Sequence, residues 1–181
     1  MEYRIIRSRR RTISIEIDDN AQVLVRSPMR APKYEIDRFV NEKEAWINKH
    51  VEIVKERMER AKEAGPVSRQ ELRELGEEAL RIIPVRVKHY AAILGVTYGR
   101  ITIRNQKTLW GSCSSKGNLN FNCMLMKTPE HIRDYVVVHE LCHRKEMNHS
   151  KRFWELVESV IPDYKQCRRW LKEEGSLYLR R

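Results

Sequence analysis

Apolar and polar residues alternate with a period of two over residues 3–26, the period of a half-buried strand. Ile13, Ile15 and Ile17 share one face, with Thr12, Ser14 and Glu16 between them. Asp18-Asp19-Asn20 is a turn signal, and Gln22-Val23-Leu24-Val25-Arg26 returns from it. The stretch predicts a β-hairpin or small sheet, closed off by Ser27-Pro28 and Ala31-Pro32. The period then lengthens. Ile36, Val40, Ile47, Val51, Val54 and Met58 recur at three, four or seven residues and predict one long amphipathic helix over 33–64. Gly65-Pro66 ends it. Ser68, with Glu71 at the capping-box position, opens a second helical stretch through Leu72, Leu75, Leu80, Ile83, Val87 and Ile93-Leu94 to Gly95. Pro84 should kink or split that helix.

Strand patterning returns over 96–124. Arg100-Ile101-Thr102-Ile103-Arg104 and Asn118-Leu119-Asn120-Phe121-Asn122-Cys123 alternate, and residues 110–117 between them are rich in turn formers and read as a loop. The two runs predict a second small sheet, antiparallel, facing inward with Ile101, Ile103, Leu119, Phe121 and Cys123. Thr128-Pro129 then starts a helix, with Thr128 as cap. Tyr135-Val136-Val137-Val138 and Leu141-Cys142 make it apolar on every side, the mark of a buried helix. Polarity rises at Arg144-Lys145-Glu146, Asn148 suits a left-handed helix end, and Ser150 can cap a helix over 151–161 that buries Phe153, Trp154 and Val157. Pro162 stops it, and Asp163 with Gln166 opens a last helix ending at Gly175.

The buried helix carries the chemistry. It reads His139-Glu140-Leu141-Cys142-His143, an H-E-x-x-H motif whose two histidines, four apart, share one helix face and can point at one metal ion. Glu140 stands beside that ion, where its carboxylate can take a proton from water as general base. His149 lies too far along to share the face, but a helix end at Asn148 and a new start at Ser150 leave it in a turn that can swing back as third ligand. Three imidazoles with one open position describe catalytic zinc, with another divalent metal as alternative. A structural three-histidine zinc site would leave Glu140 without a reason. His50, His89 and His131 read as surface or capping residues. Cys142 points about 100° away from both histidines and reads as core. Tyr164, Arg104 and Arg168 are candidates for stabilising an oxyanion, and no pattern chooses among them.

Composition sets limits. The 181 residues are 41% hydrophobic, with six prolines and seven glycines, so the chain is globular. The natural boundary at Gly65-Pro66 gives an N-terminal part over 1–65 and a catalytic part over 66–181, with one continuous domain as the alternative. Four cysteines without C-x-x-C spacing, and an N-terminus without a signal-peptide pattern, lead us to expect reduced thiols in a cytoplasmic protein with no membrane span. The net charge of +11 favours acidic partners, including weak nucleic-acid association, although the basic residues are scattered along the chain. The densest cluster is Arg7 with Arg9-Arg10-Arg11.

Three stretches together resemble the YgjP-like metallopeptidase domain family. They are Ile5-Ile6-Arg7-Ser8-Arg9-Arg10-Arg11-Thr12-Ile13-Ser14, then Trp110-Gly111-Ser112-Cys113-Ser114, then Val136-Val137-Val138-His139-Glu140-Leu141-Cys142-His143 with Asn148-His149-Ser150 and Phe153-Trp154. The chain departs from the usual pattern at Cys142, where alanine is common, and at Cys123, where tryptophan often follows Asn122. The resemblance implies an α+β, zincin-like metallopeptidase domain with its H-E-x-x-H helix and small antiparallel sheet, preceded by the β-hairpin and long helix. It also implies zinc on His139, His143 and His149, with Glu140 catalytic. Its implication for substrate is divided. Members are named peptidases by motif, and a nucleoside triphosphate pyrophosphatase activity on UTP is attached to the same family name. A peptide or protein substrate is the first expectation, held along Asn118, Asn120 and Asn122 if residues 118–124 form a sheet edge. A nucleotide whose phosphates are held by Arg7–Arg11 is the alternative, and a nucleic-acid-associated protease module is the third reading.

Overall fold

Two sets of apolar side chains fold into two separate cores, and each core has its own three-stranded sheet. The computed structural model describes residues 1–179, apart from the side chains of residues 64, 176 and 177. It divides into two compact units, Met1–Gly65 and Pro66–Arg181.

In the first unit, β1 (Arg4–Ser8), β2 (Ser14–Ile17) and β3 (Val23–Pro28) lie in the order β1-β3-β2. The hairpin of the sequence reading is β2–β3, antiparallel, with Ile15 opposite Val25. Its turn is held by Asp18, whose Oδ1 accepts the amides of Asn20 and Gln22 at 2.9 and 2.8 Å, while Ala21 takes a left-handed φ of 60°. β1 joins the other side of β3 in parallel. Val23, Val25, Ile36, Val40 and Ile47 form the buried centre. The helix expected over 33–64 is two helices, α1 (Lys33–Glu42) and α2 (Glu44–Ala64). The break at Lys43 falls in the seven-residue gap between Val40 and Ile47, where no buried side chain constrains the backbone.

The second unit opens with α3 (Arg69–Leu94), capped by Ser68 Oγ accepting the Glu71 amide and closed by Gly95 in the left-handed conformation. Pro84 does not split it: α3 is one helix of 26 residues. Ala79, Ile83, Val87 and Ala91 bury one unbroken stripe, which holds the helix together. The carbonyl left without a donor, four residues back at Leu80, lies on the exposed side where water can serve it. β4 (Ile101–Arg104), β5 (Gly111–Cys113) and β6 (Leu119–Asn122) follow in the order β4-β6-β5. Three expectations are corrected here. The sheet is mixed rather than antiparallel, since β4 runs parallel to β6 and only β5 opposes it. Part of the expected loop over 110–117 is the strand β5. And β6 is the central strand, so residues 118–124 form no sheet edge.

A 3₁₀ turn (Cys123–Lys127) leads to α4 (Glu130–Cys142), which buries residues on all sides, from Ile132 to Cys142. Thr128 does not cap α4; its hydroxyl donates back to Leu125 O at 2.8 Å, and Pro129 holds the cap position. Across the core, α3 is tied to α4 through polar groups: Arg86 pairs with Glu130 and with Asp134, and the Tyr90 hydroxyl donates to Asp134 at 2.9 Å. The chain ends in α5 (Lys151–Val160), α6 (Tyr164–Glu173) and α7 (Ser176–Leu179). Asp163 precedes α6 without a side-chain cap. The four cysteines are free. No described helix is long and apolar enough to cross a membrane.

Candidate metal centre

Helix α4 ends at Cys142 rather than at Asn148, so His143 already occupies its C-cap. Tight turns follow, with the amides of Lys145 and Glu146 both donating to Cys142 O at 3.0 Å. No left-handed residue is needed at Asn148; among the described residues Ala21 is the one non-glycine with positive φ. Asn148 serves the next start instead, its Oδ1 accepting the Ser150 amide, while Ser150 Oγ accepts that of Phe153 and caps α5. His149 sits between these two ends and turns back over α4.

The result is convergence. Ligand-capable atoms of His139, His143 and His149 all lie within 4.8 Å of one another, and the Nε2 atoms of His139 and His149 are 3.0 Å apart. Two imidazole nitrogens on a tetrahedral ion with bonds of 2.0–2.1 Å stand about 3.3 Å apart, so the set fits a metal such as zinc. The outer nitrogens are oriented too. His143 Nδ1 donates to Glu146 O at 3.2 Å, which leaves Nε2 free to ligate, and the Tyr135 hydroxyl lies 3.5 Å from His139 Nδ1. Burial, then the neighbouring imidazoles and Arg168, push His139 down to about 3, so it is neutral at pH 7 as a ligand must be. Burial lowers His143 as well.

Aromatic packing fixes the rings. Phe153, fully buried, stands 4.9, 4.7 and 4.7 Å from the ring centres of His139, His143 and His149. Trp154 stacks on His149 at 5.5 Å, Tyr164 stacks on Trp154 at 5.3 Å, and the Arg168 guanidinium lies 4.3 Å over the Trp154 ring. Of the three oxyanion candidates, Tyr164 is thus buried behind Trp154 and Arg168 rests on Trp154. Arg104 is on β4, donating to Asn120 Oδ1 at 3.3 Å.

Glu140 is buried at 5% exposure, and that burial pushes its carboxyl up to about 8. Strand β5 crosses directly above it. A Cβ at Gly111 would stand 2.8 Å from both Cγ and Oε1 of Glu140, so only glycine permits this approach. The strand is pinned at its far end by Arg144, which donates to Thr97 O at 3.0 Å and Ser115 O at 3.4 Å and fills the space beside Gly117. Sequence reasoning passed over Gly111, Arg144 and the triple contact of Phe153. The glycine inside W-G-S-C-S was the available signal, since a glycine within a strand often marks a close approach. Cys113, half-buried, is raised by burial and by Glu140, and Arg144 opposes this. Cys142 is a core residue, pushed up to about 12 by burial.

The asparagines expected to hold substrate are engaged elsewhere. Asn118 Oδ1 accepts the Arg100 amide, Asn120 donates to Ser112 Oγ, and the fully buried Asn122 donates to Gln106 O and Leu109 O while capping the 3₁₀ turn.

The buried helix α4 and the turn after it thus bring together three histidines that could hold a metal ion. The chain belongs to the YgjP-like metallopeptidase domain family, whose model matches residues 11–79 and 68–174. Among solved structures it resembles the metallopeptidase zymogen abylysin of Pyrococcus abyssi, with 26% identity over 52% of this chain and 96% of that one, at a TM-score of 0.47. It also resembles the metallopeptidase zymogen jannalysin of Methanocaldococcus jannaschii, with 20% identity over 51% and 96%, at a TM-score of 0.46. No curated protein matches the chain.

Proposed function

We propose that the protein is a zinc-dependent metallopeptidase in which His139, His143 and His149 hold the metal and Glu140 is the general base. The observation that carries the reading is the convergence of His139, His143 and His149, with the carboxyl of Glu140, one residue after His139, buried against the backbone of β5. A divalent ion on the three imidazoles supplies a Lewis acid for the scissile carbonyl and makes water more acidic. Glu140 accepts the proton of the attacking water as its oxygen bonds to the carbonyl carbon. The same proton passes to the nitrogen as the C–N bond breaks, so the carboxylate is restored. Desolvation alone favours the protonated acid, and positive charge placed beside Glu140 restores its basic form.

The substrate strand pairs with β5. Asn122 N donates to Trp110 O and Ser114 N to Asn118 O, so Ser112 is the residue that faces β6 between them. Alternation then turns the N–H and C=O groups of Gly111 and Cys113 outward, at a sheet edge above Glu140. An extended peptide added there lies alongside the base. Nucleotide hydrolysis asks Arg7 to hold phosphate, but its Nη1 already donates to the carbonyls of Pro28, Met29 and Ala31.

The test is cleavage of an unstructured protein such as casein, with the products read by mass spectrometry. Peptide-bond hydrolysis should be abolished by a chelator and restored by zinc. Cleavage indifferent to the chelator, or pyrophosphate release from nucleoside triphosphates in place of proteolysis, would overturn the proposal.

A further inference from the structure

The sheet of the second unit has two edges, and β5 takes only one. The other, the outer edge of β4, borders a groove of about 610 Å³ whose opposite wall is a stripe of α3. Leu72, Arg73, Gly76 and Leu80 line that wall, and Arg100 and Arg104 stand at the two ends of the β4 wall.

Backbone and side chains both point to an extended ligand. Leu119 N donates to Arg100 O and Arg100 N donates to Asn118 Oδ1, so residues 100, 102 and 104 turn their backbone groups toward β6. The intervening Ile101 and Ile103 therefore turn N–H and C=O into the groove, and an unpaired edge of this kind accepts a further strand. A Cβ at Gly76 would meet nothing within 4 Å, so the helix wall is open at its middle. One turn on, Leu80 is 59% exposed, an apolar side chain available to a ligand. The charge is one-sided. Arg73 and Arg100 are exposed and make no ion pair among the described residues, Arg104 donates only to Asn120, and Glu77 is the single acid in the lining.

We propose that this groove docks an extended acidic segment of a partner protein, added as a strand to β4. Its carboxylates would be held by Arg73 and Arg100, whose guanidinium groups match carboxylate geometry, and its apolar residues would lie on Leu72 and Leu80. Because β6 separates the two edges, the docked segment lies away from the β5 edge above Glu140, and its binding does not depend on the peptidase reading.

The experiment is fluorescence anisotropy with a labelled nine-residue peptide alternating Glu and Val, using the Glu140→Gln protein so that nothing is cleaved. The acidic peptide should bind, its counterpart with Lys for Glu should not, and alternate N-methylation of its backbone should weaken binding at least tenfold. Gly76→Leu fills the groove with a better helix former, so the fold is retained, and it should weaken binding at least tenfold; so should Arg73→Glu with Arg100→Glu. Equal binding by Gly76→Leu, or by the N-methylated peptide, overturns strand docking in the groove. No binding of the acidic peptide, with or without arginine-dependent binding of a single-stranded oligonucleotide, overturns the choice of partner.

Discussion

Replacing Gly111 by alanine places a methyl group 2.8 Å from both Cγ and Oε1 of Glu140 and 3.1 Å from its Cδ. Ordinary contact begins at 3.4 Å, so the carboxyl or the strand must move by about 0.6 Å at the least, and by up to about 1.2 Å to reach a relaxed 4 Å. β5 is held on one side by β6 and at its turn by Arg144, so the easier motion is that of the Glu140 side chain. A base displaced by about 1 Å costs on the order of 100-fold in turnover. Overpacking costs about 1–3 kcal/mol in stability. The three atoms nearest the new methyl group all belong to Glu140, so metal affinity should be unchanged. The assay is casein hydrolysis at saturating zinc, with calorimetric zinc titration and a thermal melt on the same preparation. Full activity in Gly111→Ala would refute the close approach of β5 to the base. Loss of zinc binding in proportion to activity would equally refute the division between ligands and base.

Phe153→Leu should lower zinc affinity by about 10–100-fold while the protein stays folded, because one buried ring supports all three imidazoles; competition with a chromophoric chelator reads this, and unchanged affinity would contradict it. In the metal-free protein, burial raises Glu140 from 4.5 to about 8, so its folded form keeps a proton that the unfolded chain releases. Stability that is present below pH 4.5 is therefore lost as pH rises through 8, by a few kcal/mol. Metal-free Glu140→Gln should accordingly gain stability over the parent at pH 8–9 and not at pH 4, in denaturant melts; parallel curves across pH would contradict the buried carboxyl.

Where one face of an element is buried, its period reported the element. The alternation of Ile13, Ile15 and Ile17, and that of Ile101, Ile103, Leu119 and Phe121, gave strands, and the wholly apolar run around Val136–Val138 gave the buried helix. Pairing order was not legible, because alternation says which way a side chain points and nothing about the strand beside it. Hence β6 looked like an edge and is the centre. β5 was hidden for a different reason: Gly111, Ser112 and Cys113 are small and bury no large side chain, so no period marks them. Pro84 misled because local propensity was weighed without the buried stripe of Ala79, Ile83, Val87 and Ala91 that overrides it. The grouping of the three histidines could be found from spacing, since helix geometry puts His139 and His143 on one face and the helix start at Ser150 leaves His149 in a turn, although α4 ends at Cys142 and not at Asn148. Their support could not, because Phe153, Tyr135 and Glu146 act through ring contacts and backbone carbonyls that spacing does not encode.

In the proposed mechanism three imidazoles hold the metal while Glu140 moves the proton. Metal content and casein hydrolysis, measured on one zinc-loaded preparation of Glu140→Gln, separate these two roles. Glu140→Gln should hold one zinc per chain, as the parent does, with turnover lower by about 10²–10⁴-fold. Parental turnover at full zinc occupancy, or loss of the zinc itself, would contradict it.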